Sequence, residues 1–168
     1  MAWFKKVKLS PIKVATKKSD IPDGLWTKCD ACGEIVYNKQ LEENFRVCPK
    51  CNYHFRMTVK ERLDLLIDNG SFIEYANNLT SLNPIEFPEY EEKLKKSKEA
   101  TGLNEALVVG EGNLDMKRIA IGVMDFSFMG ASMGSVYGEK ITRIIEFSLK
   151  NKLTLLLVTC CGGARMQE

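Results

Sequence analysis

The stretch CDACGEIVYNKQLEENFRVCPKC, residues 29–51, contains two C-x2-C pairs separated by fifteen residues. The four cysteines are Cys29, Cys32, Cys48 and Cys51. Each pair presents two thiolates on one side of a tight turn, and four thiolates complete the tetrahedral shell that a structural zinc ion prefers. Gly33 and Pro49 suit such turns, and the interval between the pairs is long enough for a hairpin. The spacing therefore predicts a zinc ribbon with one ion; the alternatives are scattered buried cysteines or two disulfides.

Composition and length indicate a globular protein of the cytoplasm. The 168 residues are 45% hydrophobic, which excludes a wholly disordered chain, and their formal net charge of +2 requires no strongly charged partner. The first residues lack the apolar core of a secretory signal, and the longest strongly apolar stretch, 153–158, is far too short to span a bilayer. We therefore expect a cytoplasmic protein without membrane association, whose six cysteines are metal ligands or free thiols.

Positive charge is concentrated at the N-terminus, where residues 1–28 contain seven lysines and two aspartates. We interpret residues 1–25 as an irregular basic arm, which is either a solvated tail or a segment that contacts nucleic acid, an acidic partner or phosphate groups. From Cys29 to Cys51, four acidic residues outnumber three basic ones, so the ribbon itself lacks a basic footprint. Weak nucleic-acid binding through the arm and the ribbon is therefore a secondary hypothesis.

The ribbon is predicted to cover residues 26–56. A module of this size buries little apolar surface, so the metal must supply much of its stability. Its small core is expected from four aromatic residues, Trp26, Phe45, Tyr53 and Phe55.

Residues 57–102 are predicted to form a helical connector. A capping box at Thr58 begins a helix over 59–69 that ends at Gly70. A charged helix covers 89–100, ends at Gly102 and faces solvent or an interface.

Residues 103–168 change character and predict an α/β arrangement. Strands are expected at 106–109, near 114–116, at 118–126 and at 153–159, with a turn at 110–113 and a helix over 135–150. The apolar stripe of that helix is Val136, Ile141, Ile144, Ile145 and Leu149. Strand, helix and strand in this order form a βαβ unit with parallel strands. The strand at 118–126 is apolar enough to be buried on both faces, and the strand at 153–159 is expected to be buried as well.

The diglycine Gly162-Gly163 follows the last predicted strand, where an α/β sheet presents loops to ligands. Adjacent glycines let a ligand approach the backbone closely, and a helix that begins after them would point free N–H groups at the same space. Those are the elements of an oxyanion hole, in which fixed N–H donors stabilise a developing negative oxygen. An ordinary strand-to-helix turn is the alternative, and Arg165 either holds an anionic ligand or pairs locally.

Other residues near this loop have simpler interpretations. Cys160 and Cys161 are nucleophile types, but the only histidine, His54, belongs to the ribbon segment, so no Cys–His pair is evident and we expect small strand-end residues. The segment GASMG between Gly130 and Gly134 lacks the lysine of a P-loop. Its glycines either bring N–H groups to a substrate or make a tight strand-to-helix turn.

Several stretches together resemble one family. They are WTKCDACGEIVY and VCPKCNYHFRM around the cysteines, MDFSFMGASMGSVYGEKITR, and GGARMQE. Their combination resembles the β subunit of the acetyl-CoA carboxylase carboxyltransferase of bacteria and plastids, and the similarity runs from Trp26 to Glu168. The resemblance implies an α/β fold class in which an N-terminal zinc ribbon precedes an incomplete crotonase-like domain of ββα repeats.

The same resemblance implies an activity and partners. The β subunit would bind acetyl-CoA and pass it a carboxyl group from carboxybiotin, giving malonyl-CoA for the first step of fatty acid synthesis. An α subunit, joined in an α2β2 heterotetramer, would receive the carboxybiotin on a biotin carboxyl carrier protein. The Gly162 and Gly163 N–H groups would stabilise the thioester enolate, with the biotin carbonyl as the competing assignment. Gly130, Gly134 and Arg165 would contact substrate, and the location would be the cytoplasm, or the chloroplast stroma for a plastid-encoded chain.

Departures from the family pattern and the length of the chain limit this expectation. Cys160 and Cys161 replace the usual serine or alanine before the diglycine, and Ala131 replaces a glycine, all small for small. Residues 103–168 amount to about half of an ordinary α/β domain, so we expect a chain that holds zinc but does not turn over substrate alone. The competing hypotheses are a shortened scaffold that binds the α subunit without catalysis and a zinc-ribbon nucleic-acid module.

Overall fold

The computed structural model describes residues 24–168, so the basic arm predicted at 1–25 lies almost entirely outside the described residues. The described residues divide into two compact units, of which the first ends at His54 and the second begins at Phe55. The first unit contains the four cysteines of the two pairs, and the second contains both glycine loops. The finer boundaries predicted after residues 56 and 102 stay predictions.

In the first unit, the leading cysteine pair is flanked by two short antiparallel strands. Strand β1 (Trp26–Lys28) pairs with β2 (Ile35–Tyr37), and helix α1 (Asn38–Glu43) follows directly. The second cysteine pair lies between Val47 and His54, which form an isolated bridge. The hairpin therefore surrounds a cysteine pair, and the interval between the pairs holds β2 and α1 instead of the hairpin expected there.

Aliphatic residues make the apolar core of this unit. Val36 and Leu41 are 3% and 1% exposed, whereas Trp26 and Phe45 are 53% and 62% exposed. Val36 is the one inward-facing residue of β2, whose neighbours on the strand alternate to the outside. The expectation that Trp26, Phe45 and Tyr53 fill the core is therefore wrong, since Tyr53 is exposed as well.

In the second unit, helix α2 (Val59–Leu66) begins with the predicted capping box. The Thr58 hydroxyl oxygen accepts a hydrogen bond from the Glu61 N–H, and the Glu61 carboxylate accepts one of 2.8 Å from the Thr58 N–H. The helix is shorter than predicted, because Ile67 is already extended. Gly70 therefore lies in a later turn and does not end the helix.

Helix α3 (Tyr90–Thr101) ends at Gly102, whose φ of +72° is the left-handed conformation that glycine adopts most easily, as predicted. Although most of its residues are charged, Tyr90 and Leu94 are buried and fix one face of the helix on the protein. The opposite end of the connector is fixed by Asp125, whose carboxylate accepts a hydrogen bond of 3.0 Å from the Val59 N–H.

A four-stranded sheet forms the centre of the second unit. Its order is β3 (Ile73–Tyr75), β4 (Leu107–Leu114), β5 (Lys117–Met124) and β6 (Thr154–Val158). The first three strands are antiparallel, and β6 runs parallel to β5 after the crossover helix α4 (Ser135–Asn151). The predicted βαβ unit is therefore confirmed, and β4, β5 and α4 follow in the ββα order of the predicted fold class.

Strand β4 runs straight through the glycines that the sequence suggested as a turn. A Cβ at Gly110 would overlap the carbonyl oxygen of Ile73 on β3, so this glycine permits close approach of two strands. The turn lies instead at Asp115 and Met116, with φ of +51° and +63°, in a two-residue hairpin loop. The turn predicted at 110–113 and the strand near 114–116 are therefore wrong.

The sheet is covered on its two faces by different apolar clusters, one with α4 and α3 and one with α2. The buried face of α4 is Val136, Lys140, Ile144 and Ser148, at intervals of four residues. Two members of the predicted stripe point elsewhere, because Ile145 is 38% and Leu149 is 73% exposed. Strand β6 is half-exposed, so the prediction of a buried strand at 153–159 is wrong.

No helix begins within residues 164–168, which corrects the helix expected there. Residues 160–168 are irregular apart from a parallel bridge between Ala164 and Met133 and a closing turn. Within residues 24–168, every helix is too short or too polar to traverse a lipid bilayer.

Candidate functional site

The four predicted metal ligands come together in the first unit. The sulfurs of Cys29, Cys32, Cys48 and Cys51 all lie within 4.8 Å of one another. Two of the separations are 3.7 Å (Cys29 to Cys51) and 3.9 Å (Cys32 to Cys48). A tetrahedral ion with Zn–S bonds of about 2.3 Å spaces its sulfurs by about 3.8 Å, so the donor set and its dimensions fit zinc.

The two cysteine turns have the same backbone design. In the first, the Cys29 carbonyl accepts from the Gly33 N–H at 2.8 Å, and in the second the Cys48 carbonyl accepts from the Asn52 N–H at 3.0 Å. The fifth residue of each turn has a positive φ, +73° at Gly33 and +59° at Asn52. Glycine and asparagine adopt this conformation most readily, which explains why these types follow the two pairs. The role of Gly33 was predicted, and that of Asn52 was missed.

The structure places the two predicted glycine loops side by side in the second unit. The Met133 N–H donates to the Gly163 carbonyl at 2.9 Å, and the Arg165 N–H donates to the Met133 carbonyl at 2.8 Å. A Cβ at Gly162 would lie 2.7 Å from the carbonyl oxygen of Gly130, so only glycine allows this approach. The loops that the sequence identified separately thus form one continuous backbone surface.

The Gly163 amide already has a hydrogen-bond partner within the loop. Gly163 has a φ of +103°, and its N–H donates to the Cys161 sulfur at 3.0 Å. Cys161 is exposed, whereas Cys160 is half-buried and donates to the Met124 carbonyl at 3.5 Å. Burial raises the pKa of the Cys160 thiol, which opposes a nucleophilic role. His54 belongs to the first unit, where it pairs with Val47.

Arg165 is held inside the protein by a network that ties the glycine loops to the rest of the unit. Its guanidinium and the Glu105 carboxylate are both 0% exposed and form two bonds, of 2.9 and 2.5 Å. The same guanidinium donates to the Ser132 carbonyl at 2.7 Å and to the Tyr90 hydroxyl at 3.2 Å. Arg165 therefore connects the segment before β4, the start of α3 and both loops.

Glu168 completes this network at the beginning of α4. Its carboxylate accepts hydrogen bonds from the Ser135 hydroxyl at 2.6 Å, from the Ser135 N–H and from the Tyr90 hydroxyl. The helix N-terminus favours a negative charge at this position. A side chain at Gly134 would collide with the Glu168 carboxylate, so this glycine makes room for the cap.

The pKa of Glu168 makes this cap sensitive to acid. Burial alone would raise it, but hydrogen bonds from Ser135, Ser81 and Tyr90 lower the pKa to about 2. Since the ordinary value is about 4.3, the unfolded chain binds more protons between these values. The stabilisation is therefore complete above about pH 5 and is lost as the pH falls toward 2.

We expect Glu168→Gln to lower the free energy of unfolding at pH 7, because the charged cap is lost. The difference in free energy between this variant and the wild type should shrink as the pH approaches 2. Urea denaturation at pH 7, 5 and 3 measures the difference. The exposed Glu91→Gln on α3 is the control and should show no such trend. A Glu168→Gln difference that is constant with pH would contradict the assignment.

A cavity of about 590 Å³ lies between α3 and the paired glycine loops. Its lining includes Lys93, Lys96 and Ser97 from α3, and Gly162 and Ala164 from the diglycine loop. A volume of this size is typical of small-molecule and cofactor sites. The diglycine backbone, which the sequence predicted to face a ligand, thus borders an open space of suitable dimensions.

Sequence reasoning missed the residues that hold this site in place. Glu105, Tyr90 and Glu168 all contact Arg165, and none of them stands in a pattern that indicates a buried ion pair. The one usable signal was chemical: a buried arginine needs an acidic partner, and Glu105 precedes an apolar strand. Of the residues predicted to contact substrate, Arg165 pairs with Glu105, Gly134 lies beside the Glu168 carboxylate, and Gly130 lies against Gly162.

Comparison with protein families assigns both units. Residues 26–51 match the acetyl-CoA carboxylase zinc finger domain, and residues 53–168 match the carboxyl transferase domain. The second match alone covers more than half of the chain.

Individual relatives agree with these matches. The chain is 49% identical over 166 residues to the acetyl-coenzyme A carboxylase carboxyl transferase subunit beta of Carboxydothermus hydrogenoformans, an alignment that covers 99% of this chain and 59% of the relative. A subunit of the same name from Desulforamulus reducens is 49% identical over 168 residues, with 98% and 58% covered. The chain therefore spans about three fifths of the length of these relatives.

A solved structure shares the fold of a large part of the chain. The transcarboxylase 12S hexamer with methylmalonyl-coenzyme A and methylmalonic acid bound is 26% identical, with a TM-score of 0.55. The alignment covers 67% of this chain and 20% of that one.

Proposed function

The chain belongs to the carboxyl transferase domain family and carries the family's acetyl-CoA carboxylase zinc finger, and from this premise we propose that it acts in carboxyl transfer to acetyl-CoA. In this proposal it is the β subunit, or the part of one, that binds acetyl-CoA and yields malonyl-CoA. The observation that supports it is the cavity at the diglycine loop, whose backbone is held by a buried ion pair.

The proposed chemistry requires backbone donors and no side-chain base. Carboxybiotin, when bound, would supply CO2 and a basic group. The residues of this chain would hold the thioester so that its oxygen receives N–H donors while the methyl group gives a proton to that basic group. Fixed donors in a site that excludes water stabilise such an enolate oxygen far better than solvent does. The enolate carbon then forms a bond to CO2, which gives the carboxylated thioester.

We propose that the Gly162 and Gly163 N–H groups serve this oxygen, with the biotin carbonyl as the competing target. The Gly163 N–H already donates to the Cys161 sulfur, so it must exchange that weak acceptor for the substrate oxygen. Gly130, Gly134 and Arg165 were predicted to contact substrate. Because Arg165 and Gly134 have internal contacts, we propose that they shape the site and that Gly130 borders it.

The partners belong to the same proposal. Carboxyl transfer from biotin requires an α subunit, in an α2β2 assembly, and a biotin carboxyl carrier protein that brings the carboxylated cofactor. The relatives are named as a subunit of a carboxylase, which supports a multi-subunit complex. Zinc in the four-cysteine site would be structural, because four thiolates leave no open coordination position.

Substitutions in the diglycine test the proposed chemistry. Gly163→Val places a branched side chain at a φ of +103°, and Gly162→Ala places a Cβ 2.7 Å from the Gly130 carbonyl oxygen. Either change should lower malonyl-CoA formation about hundredfold, the typical cost of losing one oxyanion donor. Gly138→Ala is the control, since a Cβ there meets nothing within 4 Å and alanine favours a helix.

The assay supplies acetyl-CoA, an α subunit and carboxybiotin. It is run with the chain and with a chimera in which residues 1–168 replace the matching segment of the Carboxydothermus relative. Activity in the chimera but not in the chain alone would support the hypothesis that residues 1–168 are part of a longer β subunit. Wild-type rates in both diglycine variants would exclude the oxyanion role.

Two other functions make different predictions in the same experiments. A scaffold would bind the α subunit but form no malonyl-CoA, even in the chimera. A nucleic-acid module would bind RNA or DNA with affinity that falls steeply as salt rises. The exposed Trp26 and Phe45 on the first unit are the structural feature that favours testing nucleic acid, because exposed aromatic side chains stack on bases.

A further inference from the structure

We propose that Lys93, Lys96 and Ser97, on one face of α3, bind the phosphate groups of coenzyme A at the cavity beside the diglycine loop. The choice of ligand rests on the proposed function. The geometry of the basic face does not depend on how the diglycine amides act.

The three residues share one face because they occupy positions i, i+3 and i+4 of a helix. All three line the cavity of about 590 Å³ whose opposite wall includes Gly162 and Ala164. Among the described residues that line this cavity none is acidic. A substrate whose reactive end reaches the diglycine would therefore meet only cations and hydroxyls on the α3 side.

Lys93 and Lys96 are available to a ligand of the cavity, whereas Arg165 is not. Arg165 also lines the cavity, but Glu105 neutralises its guanidinium. Lys93 has an ion pair with Glu89 at 3.9 Å, with both side chains more than half exposed, and such pairs contribute little. A phosphate can therefore replace Glu89 at low cost.

The other lysines of α3 have different surroundings. Lys95 pairs with Glu99 at 4.0 Å on another side of the helix, and Lys98 donates to the Thr80 hydroxyl. These two residues do not line the cavity. The helix thus separates two lysines that face the diglycine from two that do not, which provides a matched control within one element.

Lysine is suited to this task because its ammonium group is a compact charge with three donors, and charge-assisted bonds to phosphate are about twice as strong as neutral ones. An acyl group carried on pantetheine alone has no phosphate and would gain nothing from the two lysines. The proposed site therefore distinguishes coenzyme A from its truncated analogue.

Calorimetric titration of the chain with coenzyme A, pantetheine and inorganic pyrophosphate tests the proposal. We expect coenzyme A to bind more tightly than the other two. Lys93→Glu/Lys96→Glu should weaken coenzyme A binding about tenfold or more and leave pantetheine unchanged. Lys95→Glu should change neither, and circular dichroism should show α3 intact in all variants.

Equal effects of Lys95→Glu and the double variant would overturn the proposal, as would an absence of coenzyme A binding. Pyrophosphate binding as tight as that of coenzyme A would assign a general anion site instead. Failure of the carboxyl-transfer function alone is distinguishable from failure of the lysine site. In that case the unmutated chimera would form no malonyl-CoA, but coenzyme A would still bind at α3. If both hold, the double variant should raise KM for acetyl-CoA and not for acetyl-pantetheine.

Discussion

Replacing Cys29 by serine is expected to release the zinc ion and to unfold residues 26–54, while the second unit keeps its structure. Cys29 is 1% exposed and its sulfur lies 3.7 Å from that of Cys51. The substitution therefore removes a buried thiolate ligand that the serine hydroxyl cannot replace. Among the described residues of this unit, the buried aliphatic side chains are Val36 and Leu41, too few to hold the fold. Structural zinc contributes on the order of 10 kcal/mol in such modules.

Two measurements follow this outcome. Mass analysis should find one zinc ion per wild-type chain and none in Cys29→Ser, and amide hydrogen exchange should show loss of protection in β1, β2 and α1 but not in the second unit. Cys161→Ser is the matched control, since this cysteine is exposed in the second unit, outside the metal cluster. Full zinc content in Cys29→Ser, or loss of zinc in Cys161→Ser, would contradict the assignment of the ligands.

The metal site could be predicted completely because its information is local. Two turns with fixed spacing determine where the sulfurs point, and the rest of the chain hardly matters. The ribbon core could not be predicted in the same way. Trp26 and Phe45 are the larger apolar residues, but strand alternation turned Val36 inward and left Trp26 outside.

The helices and the βαβ unit of the second half were predictable for a similar reason. Each of the signals used is contained in a single helix: the capping box at Thr58 in α2, the end at Gly102 in α3 and the apolar periodicity in α4. The exact face of α4 was not, because Lys140, which lies outside the predicted apolar stripe, is buried. Its ammonium donates to the Leu107 carbonyl at 2.9 Å, a contact between positions 33 residues apart.

Glycines were the most ambiguous signal. A glycine that turns the chain and a glycine that lets a neighbouring backbone approach have the same letter, and only the neighbour distinguishes them. Gly110 was read as a turn because Ile73 of β3 could not be placed beside it. Gly130 and Gly162 were each read as loop residues, but their contact with one another needed the folded sheet.

Among substitutions in the second unit, one that disrupts the buried network at Arg165 is expected to lower the free energy of unfolding most. Glu105→Gln removes the carboxylate that forms two bonds with the guanidinium, and it leaves Glu168, 3.3 Å away, as the remaining carboxylate partner of a buried charge. Breaking such a pair from one side typically costs about 3–5 kcal/mol. The cost is local as well, because Arg165 holds the Ser132 carbonyl and hence the contact between the two glycine loops.

Urea denaturation followed by circular dichroism measures this cost, with Glu139→Gln as the control. Glu139 also pairs with an arginine, Arg143, at 2.7 Å, but both side chains are about half exposed, so its loss should cost less than about 1 kcal/mol. Replacing both buried partners, as Glu105→Leu/Arg165→Met, should recover part of the stability, since the buried guanidinium is removed together with its main partner, and Glu168 keeps its hydrogen bonds from Ser135 and Tyr90. If Glu105→Gln were no more destabilising than Glu139→Gln, Arg165 would not depend on Glu105, and the ion pair would have no part in holding the diglycine loop in place.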